Sequence, residues 1–289
     1  KGVLWAFEKK EMVLPFGMDL LLLGDLPSGA GLSSSASLEV LIGFIMRDLY
    51  GFDVTNVDLA LIGQQAEHEF CGVNCGIMDQ FAVAMGKKDH ALLLNTKTLD
   101  YEYIPITLCG VKLIIANSNK KHKLGESKYN ERREECETAL EEISQAIGIH
   151  ALCDLDEKTW NLYQVMVKDD DRKRRVKHAV TENARTKQAA AALKNGELKT
   201  FGELMKASHQ SLSEDYEVTG DEMDALAEAA WQQDGVLGSR MTGGGFGGST
   251  ISLVKENFVD EFIQETGRIY TEKTGLSADF YVVEIGDGP

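Results

Sequence analysis

The densest concentration of groups able to hold a ligand is the run Pro27-Ser28-Gly29-Ala30-Gly31-Leu32-Ser33-Ser34-Ser35-Ala36-Ser37. Glycine lets the backbone approach a ligand with no Cβ in the way. A helix opening behind such a loop offers an anion N–H groups that have no intrahelical acceptor. Serine hydroxyls add donors for phosphate, or oxygen ligands for Mg²⁺. No lysine follows the glycines, so the run is not a GxxxxGK[ST] phosphate loop, and a phosphate site here needs a different architecture. Runs of this composition also serve as plain turns with an N-cap.

Two other stretches hold groups of chemical interest. Cys75-Gly76-Ile77-Met78-Asp79-Gln80-Phe81 places a carboxylate where a helix is expected to begin, which by itself is favourable against the helix dipole by about 0.3–1 kcal/mol. Gly238-Ser239-Arg240-Met241-Thr242-Gly243-Gly244-Gly245-Phe246-Gly247-Gly248 satisfies GxGxxG through Gly243, Gly245 and Gly248. A dinucleotide fingerprint must open a helix, whereas the run after these glycines is strand-like, so that reading fails.

The elements that must position these residues follow from periodicity. A short helix is expected over 3–7, an apolar strand over 18–23, then the serine and glycine loop, then a helix. In that helix Leu38, Leu41, Ile42, Ile45 and Leu49 share one face, and Gly51 stands where a left-handed residue would end it. A second helix runs from Asn56 or Val57 to about Phe70 and a third over 78–85, followed by strands over 90–95, 101–106 and 111–116. The middle is helical, over 127–147, 174–193, 198–213 and 223–232; after the glycine cluster come a strand over 250–254, a helix over 258–274 and a last strand over 279–285. This order predicts an α+β protein of two parts, 1–112 and 113–289.

Composition narrows the function classes. The 289 residues are 43% hydrophobic and 26% charged, as in soluble globular proteins, with a formal charge of −16 that repels nucleic acid and anionic membranes. The basic run from Arg172 to Arg175 follows Asp169, Asp170 and Asp171 and reads as a solvated mixed-charge surface. Five cysteines, with no CxxC pair, argue against a disulfide framework or a structural zinc, which suits a reducing cytoplasm. No apolar run is long enough to span a bilayer and no signal-peptide pattern is present.

On its motifs, the serine and glycine loop resembles the second signature of the galactokinase, homoserine kinase, mevalonate kinase and phosphomevalonate kinase (GHMP kinase) superfamily. The segment around Asp79 is similar to the galactokinase stretch that holds the catalytic aspartate, and the 238–248 glycine cluster resembles the third superfamily signature. The resemblance covers nearly the whole chain. It implies an incomplete ribosomal protein S5 domain 2-like N-terminal domain over 1–112 and a ferredoxin-like α+β C-terminal domain over 113–289. It implies ATP-dependent phosphorylation of the C1 hydroxyl of galactose by a cytoplasmic protein, monomeric when intact. Gly29, Gly31, Leu32, Ser33, Ser34, Ser35 and Ala36 are then expected to hold ATP, Asp79 to accept or assist loss of the sugar hydroxyl proton, and Gly76, Asp79 and Tyr129 to face the sugar. Ser35 and Glu67 would serve the Mg²⁺ that bridges the nucleotide phosphates.

The resemblance departs at the front. The family's first signature supplies an arginine facing the catalytic aspartate, with Glu, His and Asp residues on the sugar hydroxyls, and none of it occurs before Gly2 or after. Such an arginine contributes roughly 10³–10⁵ in rate, so negligible activity is expected of these 289 residues by themselves, with an open sheet edge or core face favouring association. Three alternatives stand beside galactose: the same chemistry on N-acetylgalactosamine or another sugar, a non-catalytic sensor of galactose and ATP, and a fragment with no function of its own. Ser35-Ala36 and Asp79 favour the enzyme.

Overall fold

The computed structural model describes residues 1–27, 30–120 and 125–289, with side chains at 125–127 outside the description. Two compact units divide the chain: 1–106 with 285–289, and 107–284.

The first unit opens with α1 (Gly2–Lys9) and continues through α2 (Ser34–Tyr50), α3 (Asn56–Gln65), a π-helical turn (Ala66–Cys71), α4 (Met78–Ala84) and the antiparallel pair β1 (His90–Leu94) and β2 (Tyr101–Pro105). Thr55 and Asp58 form a capping box that starts α3, each side chain satisfying the other's backbone N–H. Gly51, at φ 68°, ends α2 with its N–H on the Arg47 carbonyl, as its position in the sequence predicts. Val3, Phe7, Met46, Leu59 and Ile62 make one core cluster, and Val40, Ala60, Ile77, Phe81 and Ala84 a second. The terminal residues return to this unit, Gly288 donating to the Gly86 carbonyl at 2.8 Å and Asp287 accepting from the Lys88 N–H at 2.7 Å.

Three expectations change here. The 18–23 run forms no strand; none of the described strands pairs with it, and Leu21 and Leu23 are 86% and 88% exposed. On α2 the buried residues are Ala36, Val40, Gly43 and Met46; of the expected face, Ile42 and Ile45 pack against the core, whereas Leu38, Leu41 and Leu49 are exposed. Small residues win the buried positions because α3 comes close: a Cβ on Gly43 would stand 3.1 Å from Leu59 Cδ2. The second helix does not run on to Phe70 as one α-helix but widens into the π turn after Gln65.

The second unit is built on an antiparallel sheet ordered β4 (Val236–Met241), β5 (Ser249–Lys255), β3 (Val111–Asn117), β6 (Asp279–Val283), the split arrangement of a ferredoxin-like fold. Between β3 and β4 lie α5 (Gly125–Ser144), α6 (Glu157–Tyr163), α7 (Asp170–Lys194), α8 (Leu198–Ser211), a π turn (Leu212–Tyr216) and α9 (Asp221–Trp231); α10 (Val259–Thr274) joins β5 to β6. Strand alternation sorts the helices: Val111, Leu113, Ile251 and Leu253 meet Phe201 and Met205 of α8, while Ile114, Ala116 and Val254 meet Leu226, Ala230, Phe262 and Tyr270 of α9 and α10. The sheet and α8 touch backbone to backbone, since a Cβ on Gly202 would lie 2.1 Å from the Leu237 carbonyl oxygen. Strand β4 and helix α6 were not expected from the sequence.

The basic run also departs from expectation. Arg175 is 1% exposed, donating to Glu135 at 2.7 Å, to the Asp215 carbonyl at 2.6 Å and to Glu217 at 2.6 Å. Three charged or polar acceptors compensate its desolvation, so it holds α5, α7 and the following π turn together rather than facing water.

Candidate active site

Gly31 at φ 67° and Ser33 at φ 57° bend the described part of the serine loop so that α2 starts at Ser34. A non-glycine residue in the left-handed region is strained by about 1–2 kcal/mol, and such strain collects where a backbone is held for function. Ala36 is buried and anchors the first turn, Gly31 and Ser35 are exposed, and Leu32, Ser33 and Ser34 are half-buried. No side chain caps α2, which leaves its first-turn N–H groups without an intrahelical or capping acceptor. Gly29 lies outside the described residues.

Asp79 sits in the first turn of α4, half-buried, with the Ser33 side chain near its carboxyl. Burial pushes the carboxyl above the usual aspartate range, and the Ser33 hydroxyl pulls partly the other way. The sequence-predicted aspartate and serine turn therefore meet within the first unit. Ahead of Asp79, the Cys75 carbonyl is fixed by two groups from the preceding helical segment: His68 Nε2 donates to it at 2.6 Å and Gln64 Nε2 at 3.3 Å. Gly76 follows in the open, with nothing within 4 Å of where a Cβ would stand.

Glu67 occupies the π turn, an irregularity often found at functional sites, and its carboxyl faces Glu39 on α2. Burial first, then the neighbouring carboxyls of Glu67 and Asp79, hold Glu39 up at about 8. Sequence reading missed Glu39. The signal was present in its spacing, because residues 35 and 39 are one helical turn apart and share a face, and because an acid interrupts the apolar Leu38 and Val40. Glu39 in turn accepts from Gln80 Nε2 at 3.0 Å.

No group of three or more His, Cys, Asp or Glu side chains arranged to hold a metal occurs among the described residues. A phosphate-bound Mg²⁺ does not need one, because it keeps water and phosphate oxygens and takes only one or two protein oxygens. An exposed Ser35 hydroxyl and the Glu67 carboxyl fit that modest donor set.

In the second unit Tyr129 lies half-buried on α5, and a Cβ at Gly244 would stand 3.7 Å from its ring. The glycine cluster is a tight turn between β4 and β5, with positive φ at Gly243, Gly245, Phe246, Gly247 and Gly248. Phe246 N–H donates to the Val218 carbonyl at 2.6 Å, Thr242 N–H to Ser249 at 2.9 Å, and Ser118 N–H to Gly248 at 2.9 Å. A strand follows at Ser249, which rules out the dinucleotide reading on observed geometry.

Family models for the GHMP kinases N terminal domain and the GHMP kinases C terminal match residues 1–87 and 189–268. Among curated proteins, the chain is 50% identical over 288 residues to the galactokinase of Bacillus subtilis and 50% identical over 288 residues to that of Streptococcus suis, covering 100% of this chain and 74% of each relative. Among solved structures, Lactococcus lactis galactokinase complexed with galactose superimposes with a TM-score of 0.97 at 43% identity, over 99% of this chain and 74% of that one.

Proposed function

Because this chain belongs to the galactokinase family, we propose that it transfers the γ-phosphoryl group of ATP to the C1 hydroxyl of galactose. The observation that carries this reading is the juxtaposition of Ser33 and Asp79, which sets a half-buried carboxylate beside the anion-binding start of α2.

In the reaction, the bond between the sugar C1 oxygen and the γ-phosphorus forms while the bond from that phosphorus to the β,γ-bridging oxygen breaks, releasing ADP and galactose 1-phosphate. Such transfers depend mainly on positioning and charge stabilisation, with little covalent work left to the protein. Gly31 and the first-turn N–H groups from Ser34 to Ala36 receive phosphate oxygens, aided by the positive end of the α2 dipole. Asp79 takes the C1 hydroxyl proton, or draws it away as the phosphorus is attacked. Burial makes it a better base than an exposed aspartate. Ser35 and Glu67 would hold Mg²⁺, which when bound neutralises charge between the phosphates. The open Gly76 leaves room for the hexose.

The test is ADP release by the gene product carrying this chain, with galactose, N-acetylgalactosamine or no sugar. Release that depends on galactose supports the reading; release that depends on N-acetylgalactosamine alone, or on neither sugar, overturns it.

A further inference from the structure

Three helices of the first unit converge over one glycine. The Glu39 carboxylate, on α2, accepts from Gln80 Nε2, on α4, at 3.0 Å. Gly63 of α3 lies under that bridge: a Cβ there would stand 3.0 Å from Gln80 Cγ and 3.2 Å from Glu39 Oε2. The two polar side chains therefore meet only because the third helix presents no side chain at the crossing.

Gln80 is 2% exposed, and its amide has few other ties. Its nitrogen also faces Cys75 Sγ at 4.0 Å, and its oxygen has no hydrogen-bond partner among the described residues. Glu39 is thus the strong polar contact that fixes the Gln80 rotamer. A buried amide held at one point reports directly on where its helix sits, and Gln80 is the residue after Asp79. On its other side Glu39 faces the Glu67 carboxyl, so one side chain stands between the helix that begins at the serine loop and the segments carrying both carboxylates expected at the reaction.

Resting on the function proposed above, we infer that Glu39 is a positioning residue: through Gln80 it sets the registration of Asp79 against the head of α2. It touches no substrate in this role. A displacement of about 1 Å at a reacting group costs as much as a hundredfold in rate, which makes such registration worth building.

Glu39→Gln preserves the bridge, since its oxygen can accept from Gln80. Glu39→Leu keeps the volume and removes it. Glu39→Leu should lower kcat by about tenfold to a hundredfold with KM for ATP and for galactose within about threefold, while Glu39→Gln stays within about threefold in kcat. If Glu39→Leu does not yield folded protein, Gln80→Met, which breaks the bridge from its other end at similar volume, must show the same loss of kcat. Unchanged kcat in the bridge-breaking variant, or an equal loss in Glu39→Gln, overturns the inference. An unsubstituted protein inactive on galactose overturns the proposed function alone. Positioning is then decided by amide hydrogen exchange over 77–81, which should quicken about tenfold in Glu39→Leu or Gln80→Met and is refuted if it does not change.

Discussion

Ser33, held in the left-handed region at φ 57°, places its side chain near the carboxyl of Asp79, so the serine turn and the start of α4 stand side by side. The Ser33 hydroxyl opposes the effect of burial on Asp79. Removing the hydroxyl in Ser33→Ala should raise the Asp79 pKa further, because a donor beside an ionised carboxylate favours its charged form. The acid limb of kcat/KM should therefore move to higher pH, measured from the pH–rate profile; an unmoved limb would mean that Ser33 does not tune the base.

Glu39 gives a second pH dependence. Its carboxyl stays protonated up to about 8 in the fold but ionises near 4.3 in an unfolded chain. Between those limits the folded state binds more protons, so this group's contribution to stability is complete below about pH 4.3 and fades as pH rises towards 8. Glu39→Gln carries its hydrogens permanently. Its urea midpoint should fall less between pH 5 and 8 than that of the unsubstituted protein, and parallel curves would contradict the assignment.

The sequence made the serine loop, the helix-start aspartate and the strand after the glycine cluster legible, because each rests on local chemistry: left-handed backbone, a first-turn acid, a change of period. Contacts set by distant residues were not legible. Leu38, Leu41 and Leu49 form a regular apolar stripe, yet α3 packs on the smaller Ala36, Val40 and Gly43, and periodicity alone cannot rank two apolar faces of one helix. Arg175 looked solvated for the opposite reason, since its acceptors come from residues 135, 215 and 217. Glu39 joins this group in part: its spacing from Ser35 and its place between Leu38 and Val40 single it out, but its partner Gln80 lies on another element.

His178 of α7 is 7% exposed, stacked on Tyr216 at 4.6 Å and paired with Ser211 Oγ at 3.0 Å. Burial pulls its pKa down to about 4, with the charges of Glu182 and Asp215 opposing and those of Arg185 and Arg240 assisting. The unfolded chain then takes up a proton near 6.5 that the fold refuses, so stability falls as pH drops from about 6.5 to 4, by about 3 kcal/mol. Acid unfolding of His178→Gln should begin at lower pH than that of the unsubstituted protein. Identical acid transitions would show that His178 is not the group responsible.

Gly245 combines φ 84° with a position where a Cβ would lie 2.2 Å from the Val218 carbonyl oxygen. Gly245→Ala must move the turn or break the Phe246 bond to Val218, at a cost of about 1–3 kcal/mol or more. Gly51→Ala, at φ 68° with open space around it, suffers only the backbone strain and should cost about 1 kcal/mol. Thermal unfolding of the two variants should preserve that order; equal losses would contradict a packing role for the glycine turn.

The account stands most directly on Asp79. Incubation of the gene product with ATP and galactose, followed by ³¹P NMR, should show galactose 1-phosphate forming with the unsubstituted protein. With Asp79→Asn, formation should slow by about 10²–10⁴-fold, while nucleotide affinity and melting temperature hold nearly constant. Galactose 1-phosphate appearing at a comparable rate with Asp79→Asn would contradict it.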